Sequence, residues 1–353
     1  MKKSWKRFKQ STFFVKLMSW EYWPAYITNI PVVGFWLFFA IRSRALFFFS
    51  AVNPVIETGG VLGESKINIL NRLPKATIPK TIYIKKGTID VELILEQMKF
   101  NDLFFPIIAK PDIGERGFLV ERISNNSELT IYLQLIKVDF IIQEFIDFQE
   151  EISVMYHRIP DKQNGKITSV CVKKNLAVVG NGHSTVEELM QEYSRARIQL
   201  SRFRKNNASI LKTIPKRGAL LELEPIGNHN RGTTFLNGNH LIDKNLEAVF
   251  DEIAVGIEGI YYGRFDLKCK SMELLKEGRG FKILEFNGVA SEPAHIYDPE
   301  YSTLQGYKDI YDHWKIIYKI SEIQREKGIE SMTTKEAYNS VSDYLKYMRS
   351  AKV

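Results

Sequence analysis

Two stretches in the last third of the chain carry the residue types with the most specific chemistry. Gly263-Arg264-Phe265-Asp266-Leu267-Lys268 is followed, across a charged turn, by Phe281-Lys282-Ile283-Leu284-Glu285-Phe286-Asn287-Gly288. Both read as strands. A strand sends residues i and i+2 to one face, so Arg264 projects with Asp266, and Glu285 with Asn287. As antiparallel neighbours the two strands bring together two carboxylates and an amide oxygen. Hard oxygen ligands in that number suit Mg²⁺ that is also held by substrate phosphates. Arg264 beside them could meet charge developing on a transferred phosphoryl group.

Upstream, Ile108-Ala109-Lys110-Pro111-Asp112-Ile113-Gly114-Glu115-Arg116-Gly117-Phe118 reads as a strand that ends in a lysine and opens into a glycine loop. Backbone N–H groups of such a loop can approach phosphate oxygens, with the lysine as a point charge. The loop is neither a Walker loop nor a dinucleotide fingerprint. A third element, Gln143-Glu144-Phe145-Ile146 with Glu151 seven residues after Glu144, offers carboxylate and backbone groups to an adenine edge and a later acid to ribose hydroxyls.

In this order the elements resemble the ATP-grasp superfamily over roughly residues 61 to 300, with the likeness to D-alanine–D-alanine ligases clearest in the nucleotide site. The resemblance implies an α+β fold in which two lobes hold ATP between them. It implies that Lys110, Gly114, Arg116 and Gly117 bind the ATP phosphates, Glu144, Phe145 and Ile146 the adenine, and Glu151 the ribose. Asp266, Glu285 and Asn287 would hold two Mg²⁺ ions, with Mn²⁺ as a substitute, and Arg264 would assist phosphoryl transfer. Lys66 is the expected first ATP lysine, with Lys75 and Lys80 as alternatives.

A second likeness lies in Val178-Val179-Gly180-Asn181-Gly182-His183-Ser184-Thr185-Val186-Glu187-Glu188-Leu189, which is similar to a segment of cyanophycin synthetases and related amide-forming ligases. By the same resemblance Asn228-His229-Asn230-Arg231-Gly232 sits on the substrate side. Arg231 is the candidate contact to a substrate carboxylate or acyl phosphate, with His229 beside it. Glu292 and His295, in the loop after Asn287, are candidates to bind or deprotonate an amine. The chain departs from the family in the segment before Lys66, which is aromatic where a βα-rich domain is usual, so D-alanine specificity does not carry over.

The elements that must position these residues alternate short apolar runs with amphipathic stretches. Strands are expected at Ile107–Lys110, Phe140–Gln143, Ile152–Tyr156, Ile167–Val172, Arg264–Lys268 and Phe281–Glu285. Ser184 and Glu187 have capping-box spacing before a helix, and Leu246, Val249, Phe250 and Ile253 recur at helical intervals. From about Gly306 the chain reads as helical. Mixed elements without strict βαβ alternation imply α+β lobes. The expected division is a basic aromatic segment (1–55), a first lobe with the glycine loop (56–150), a second lobe with the metal site (151–305) and terminal helices (306–353).

The 353 residues carry a net charge of +8, but Lys2, Lys3, Lys6, Arg7, Lys9 and Lys16 precede the first acid, and the remainder is nearly balanced. A single amino-terminal basic block argues against nucleic acid as partner. Cys171 and Cys269 alone build neither a disulfide framework nor a zinc site, in keeping with a reducing cytoplasm. Four of the five tryptophans lie in the first 50 positions, and Tyr22 to Ile41 is free of charge. Pro24, Asn29, Pro31 and Gly34 interrupt that stretch. The expectation is therefore an interfacial or re-entrant segment on the inner face of an anionic membrane. A flap packed on the protein's own core or on a second copy in a homodimer is the alternative.

The expected activity is ATP-dependent ligation of a small-molecule or lipid-linked carboxylate to an amine. The rivals are an ATP-grasp kinase acting on an alcohol and a non-catalytic nucleotide-binding scaffold.

Overall fold

The computed structural model describes residues 20–88, 90–114, 117–224, 227 and 231–351. Arg116, His229 and the basic block before residue 17 lie outside the described residues.

Among the described residues the first α-helix is α1 (Ala25–Ser43). It corrects the expectation of an interrupted segment. Pro24 stands at the N-cap, where the missing N–H costs no intrahelical bond. Pro31 is inside the helix but in its second turn, where it withdraws a donor only from the carbonyl of exposed Ile27. The 18-residue window Tyr26–Ser43 is long and apolar enough to cross a bilayer by length and composition, and only 17% of it is buried.

Next come α2 (Lys66–Leu70), β1 (Thr81–Ile84), α3 (Val91–Phe100), β2 (Ile107–Pro111), β3 (Glu121–Ile123), α4 (Asn126–Leu135) and β4 (Phe140–Glu144). The four strands form an antiparallel sheet in the order β1-β4-β2-β3. Asp90 and Asn125 cap α3 and α4 by accepting from the backbone N–H of Leu93 and Glu128. Ile94, Met98, Leu129 and Leu133 of these helices pack on Ile107, Ala109 and Ile142 of the sheet.

The second lobe contains β5 (Glu150–His157), β6 (Lys166–Lys174), β7 (Ala177–Val179), α5 (Val186–Glu192), α6 (Ser194–Asn206), α7 (Ala208–Leu211), β8 (Leu220–Glu222), β9 (Thr234–Asn237), α8 (Lys244–Val255), β10 (Tyr262–Cys269), α9 (Met272–Lys276) and β11 (Phe281–Asn287). Its antiparallel sheet runs β11-β10-β5-β6-β9. Leu246, Val249, Phe250 and Ile253 of α8 are buried against Val154, Phe265 and Ile283, as their spacing implies. Ile56, Ile69, Leu70 and Leu73 join this second core together with Ile141 of β4, so the segment before β1 packs mainly on the second sheet while touching the first. The capping box of α5 is formed by Thr185 and Glu188, one residue later than Ser184 and Glu187.

Two helices close the chain, α10 (Thr303–Glu326) and α11 (Thr334–Ala351). An aromatic seam joins α10 to the amino-terminal segment: Trp20 to Tyr307, Phe35 to Tyr311 and Phe39 to Tyr318, each with ring centroids 5.2 Å apart. Such pairs add about 0.5–1.5 kcal/mol each beyond area burial. The concentration of aromatic residues in the first 50 positions thus has a packing role on one side of α1. The other side is exposed and apolar, with Ile30 at 68% and Ile41 at 77% exposure, flanking Val33, Leu37 and Phe38. Tyr347 and Ala351 of α11 return to the first lobe and pack into its core.

Candidate active site

β10 and β11 are antiparallel neighbours in the register the site requires: Asp266 faces Glu285 and Arg264 faces Asn287. Directly opposed carboxylates destabilise a sheet unless cations offset them. Here Arg264 Nε and Nη2 donate to Asp266 Oδ1 and Oδ2 at 3.0 and 3.2 Å, and Lys173 Nζ lies 3.6 Å from Oδ2. Ser153 Oγ donates to Oδ1 at 2.6 Å. Burial alone would raise the Asp266 carboxyl, but Arg264, then Lys173 and Ser153, hold it down at about 2. Asn287 Nδ2 lies 3.4 Å from Asp266 Oδ2, and Glu285 is 3.7 Å from Lys66 Nζ.

The register of β10 against β11 shifts after Asp266, leaving Leu284 unmatched between Glu285 and Ile283. This bulge turns the Leu284 carbonyl toward the other lobe, where Lys110 Nζ donates to it at 3.3 Å. Lys110, buried on β2, also donates to Gln143 Oε1 at 3.1 Å. Lys66 Nζ donates to the carbonyls of Asp112 and Gly114. Its backbone is fixed because Asp112 accepts from the N–H of Ile67 through Oδ1 at 2.9 Å. Of the three lysines considered for the first ATP position, Lys66 lines the cleft, while Lys75 bonds to Asn71 and Lys80 to Asp102 on the exposed side.

These groups line a cleft of about 750 Å³ between the two sheets, together with Gly114, Gly117, Glu144, Phe145, Ile146, Glu151 and Glu292. Glu144 Oε2 accepts from the Lys80 N–H at 3.1 Å. The Arg122 guanidinium lies 4.4 Å and Lys268 Nζ 5.6 Å from the centroid of the Phe145 ring, two cation–π contacts that hold the ring at the cleft. Glu151 pairs with Lys173 at 3.1 Å and packs against Gly227, where a Cβ would fall 2.1 Å from Oε1.

Two expected residues stand apart from the cleft walls. Arg231 pairs with Glu224 at 3.4 Å and donates to the Val120 carbonyl at 3.3 Å, which ties the second lobe to the end of the glycine loop. His295 is buried, with Nδ1 bonded to Ser169 Oγ at 2.7 Å and Nε2 to Asp309 at 3.2 Å, and burial lowers its pKa. It is a core histidine with both ring nitrogens engaged. The residue that sequence reasoning missed is Lys173. Burial disfavours its charge, but Asp266 and Glu151 outweigh burial and raise its pKa.

The oxygen set fits Mg²⁺. Among the described residues no group of three or more His, Cys, Asp or Glu side chains clusters as a cage, so Asp266, Glu285 and Asn287 would need phosphate oxygens to complete a coordination shell. That is the usual division of ligands for Mg²⁺.

No protein-family model matches the sequence, and no curated protein matches it. Among solved structures the chain is similar to a D-alanine–D-alanine ligase from Bacillus anthracis, at 14% identity over 77% of this chain and 71% of that one, with a TM-score of 0.43. The VanG D-Ala:D-Ser ligase from Enterococcus faecalis matches at 14% over 78% and 63%, with a TM-score of 0.38. A bifunctional glutathione synthetase from Pasteurella multocida matches at 14% over 70% and 36%, with a TM-score of 0.36. The chain spans 36% of the synthetase and 63% of VanG, and at these identities and TM-scores the likeness transfers no substrate and no mechanism.

Lys110 makes the cleft pH-sensitive. Burial lowers its pKa to about 8, with Glu285 opposing and Lys66 adding to the shift. The free protein therefore carries Lys110 half charged near pH 8 and fully charged only well below it, and a bound polyphosphate would raise the pKa again. ATP affinity is expected to weaken by up to about tenfold per pH unit above 8, measured by calorimetry. In Lys110→Arg, which stays charged, that slope should disappear.

Proposed function

We propose that this chain is an ATP-dependent carboxylate–amine ligase acting at the cytoplasmic face of a membrane. The observation that carries the reading is the convergence, in one cleft between two sheets, of Lys66, Lys110 and Arg264 on the oxygen set Asp266, Glu285 and Asn287. Lys66 on α2 and Lys110 on β2 both line this cleft and would hold the polyphosphate. Glu144 and the Phe145–Ile146 backbone would meet the adenine edge. Mg²⁺, when bound, supplies charge neutralisation between phosphate oxygens and the two carboxylates. Arg264 stands beside Asp266 and would share itself with the phosphoryl group as its charge develops.

In this reading a substrate carboxylate oxygen attacks the γ-phosphorus and ADP leaves. The amine nitrogen then attacks the acyl carbon, loses a proton and expels phosphate. Positioning and charge stabilisation supply the catalysis, with the glycine loop excluding water. The membrane location is supported by the basic block at the amino terminus and by the exposed apolar face of α1. A homodimer is compatible with this reading but not required by it.

Hydroxylamine tests it, since it replaces the amine and traps an acyl phosphate as a hydroxamate. Carboxylates that stimulate ADP release should yield hydroxamate in equal amount. A phosphomonoester of an alcohol without hydroxamate would replace the ligase reading with a kinase. ATP binding without ADP release across carboxylates and amines would leave a nucleotide-binding scaffold.

A further inference from the structure

A second cavity, of about 370 Å³, lies between α1 and α10. Its walls are mostly apolar, built by Val32, Val33, Trp36, Phe49, Ile310 and Trp314, with Asn29, Ser291, Glu292 and His313 as polar members. The size falls in the range of small-molecule pockets. Three features connect it to chemistry. Asn29, Val61, Ala290, Ser291 and Glu292 line this cavity and the nucleotide cleft alike, so the two spaces share a wall. That wall is anchored to the phosphoryl-transfer side, because Arg264 Nη1 donates to the Glu292 carbonyl at 3.2 Å. It is also held in place by the close approach of Gly60 (φ +87°) to Gly288, where a Cβ on Gly60 would fall 2.5 Å from the Gly288 Cα, with Ala290 N–H donating to Gly60 O at 2.9 Å. The opposite side of the cavity is α1 itself. Val33 lines the cavity and is 46% exposed, on the helix face that carries Ile30, Leu37 and Ile41.

We infer that this cavity holds the hydrocarbon chain of an amphiphilic amine, whose amino group reaches the nucleotide cleft past Glu292. The inference rests on the ligase reading and narrows it to a long-chain amine as acceptor. An apolar chamber open to an apolar helix face admits an alkyl chain, and the acidic side chain on the shared wall complements an ammonium group. Glu292 accepts from the Tyr297 hydroxyl, which fixes its carboxylate at the junction. A chain entering from α1 places its polar end beside Arg264 and Asp266, where an acyl phosphate would form.

The test titrates n-butylamine, n-octylamine and n-dodecylamine, below their micelle concentrations, into full-length protein. Binding is read by calorimetry and by the fluorescence of the wall residues Trp36 and Trp314. Affinity is expected to rise about fourfold per methylene until the cavity is full. Val33→Trp, which fills the chamber from an exposed position, should flatten that dependence while ATP affinity stays unchanged. Glu292→Gln should weaken every amine by a common factor. Affinity independent of chain length, an unchanged dependence in Val33→Trp, or a steeper dependence for alkyl carboxylates than for alkylamines would overturn the inference. The two readings fail separately. Chain-length-dependent binding without ADP release removes the ligase and leaves the amine site, whereas equal ADP release and amide yield with butylamine and dodecylamine removes the amine site and leaves the ligase.

Discussion

Glu285→Gln is expected to lower ATP-dependent turnover by about 10³-fold while leaving thermal stability near that of wild type. Its carboxylate side chain is 33% exposed and its ion pair with Lys66 is long, at 3.7 Å, so little folding energy depends on it. Asp266→Asn should lose activity to a similar degree but should also lose stability. Asp266 is the buried counter-charge for Arg264 and Lys173, and removing one member of such a set costs about 3–5 kcal/mol. ADP release together with denaturant unfolding of both variants separates the two effects. Glu285→Gln retaining near-wild-type turnover would remove Glu285 from the proposed metal set.

The triple change Ile30→Gln, Leu37→Gln and Ile41→Gln is expected to lower partitioning onto anionic vesicles by about 10³-fold. Each side chain forfeits about 1.5 kcal/mol of transfer into an apolar phase. The fold should survive, because all three are exposed and glutamine is a good helix former. Residual binding should then fall with salt, as expected for the basic block alone. Vesicle flotation measures this, and unchanged partitioning would assign the exposed face to something other than a bilayer. Truncation before residue 56 is a poorer experiment, since Phe48, Ala51 and Val52 are fully buried and their loss would open the core.

Much of the scaffold is legible in the residues. β2, β4, β5, β6, β10 and β11 coincide with apolar runs of strand period, and α8 buries the residues that recur at helical intervals. Such periodicity is local: it depends on which face of an element meets the core, and a few neighbouring residues determine that. The pairing of Arg264 with Asp266 follows from the same period. So does the convergence of Glu285 and Asn287 on them, once the two strands are taken as neighbours.

Other features depend on partners distant in the chain. Lys173 enters the site because β6 neighbours β5 and β5 neighbours β10, an order that no single strand encodes. His295 looks like an available base beside Glu292 until Ser169 and Asp309 are brought against its two nitrogens. Pro31 and Gly34 read as helix breakers. In the folded chain α1 runs through them, because aromatic packing on α10 stabilises the helix by more than one missing donor costs. The residue types and their period thus specify the strands, the acidic pair and the lysine strand with its glycine loop. Sheet order and helix packing decided which cation neutralises Asp266, which lysine faces the cleft and where the apolar cavity opens, because burial and charge neutralisation are shared among residues that only the folded chain brings into contact.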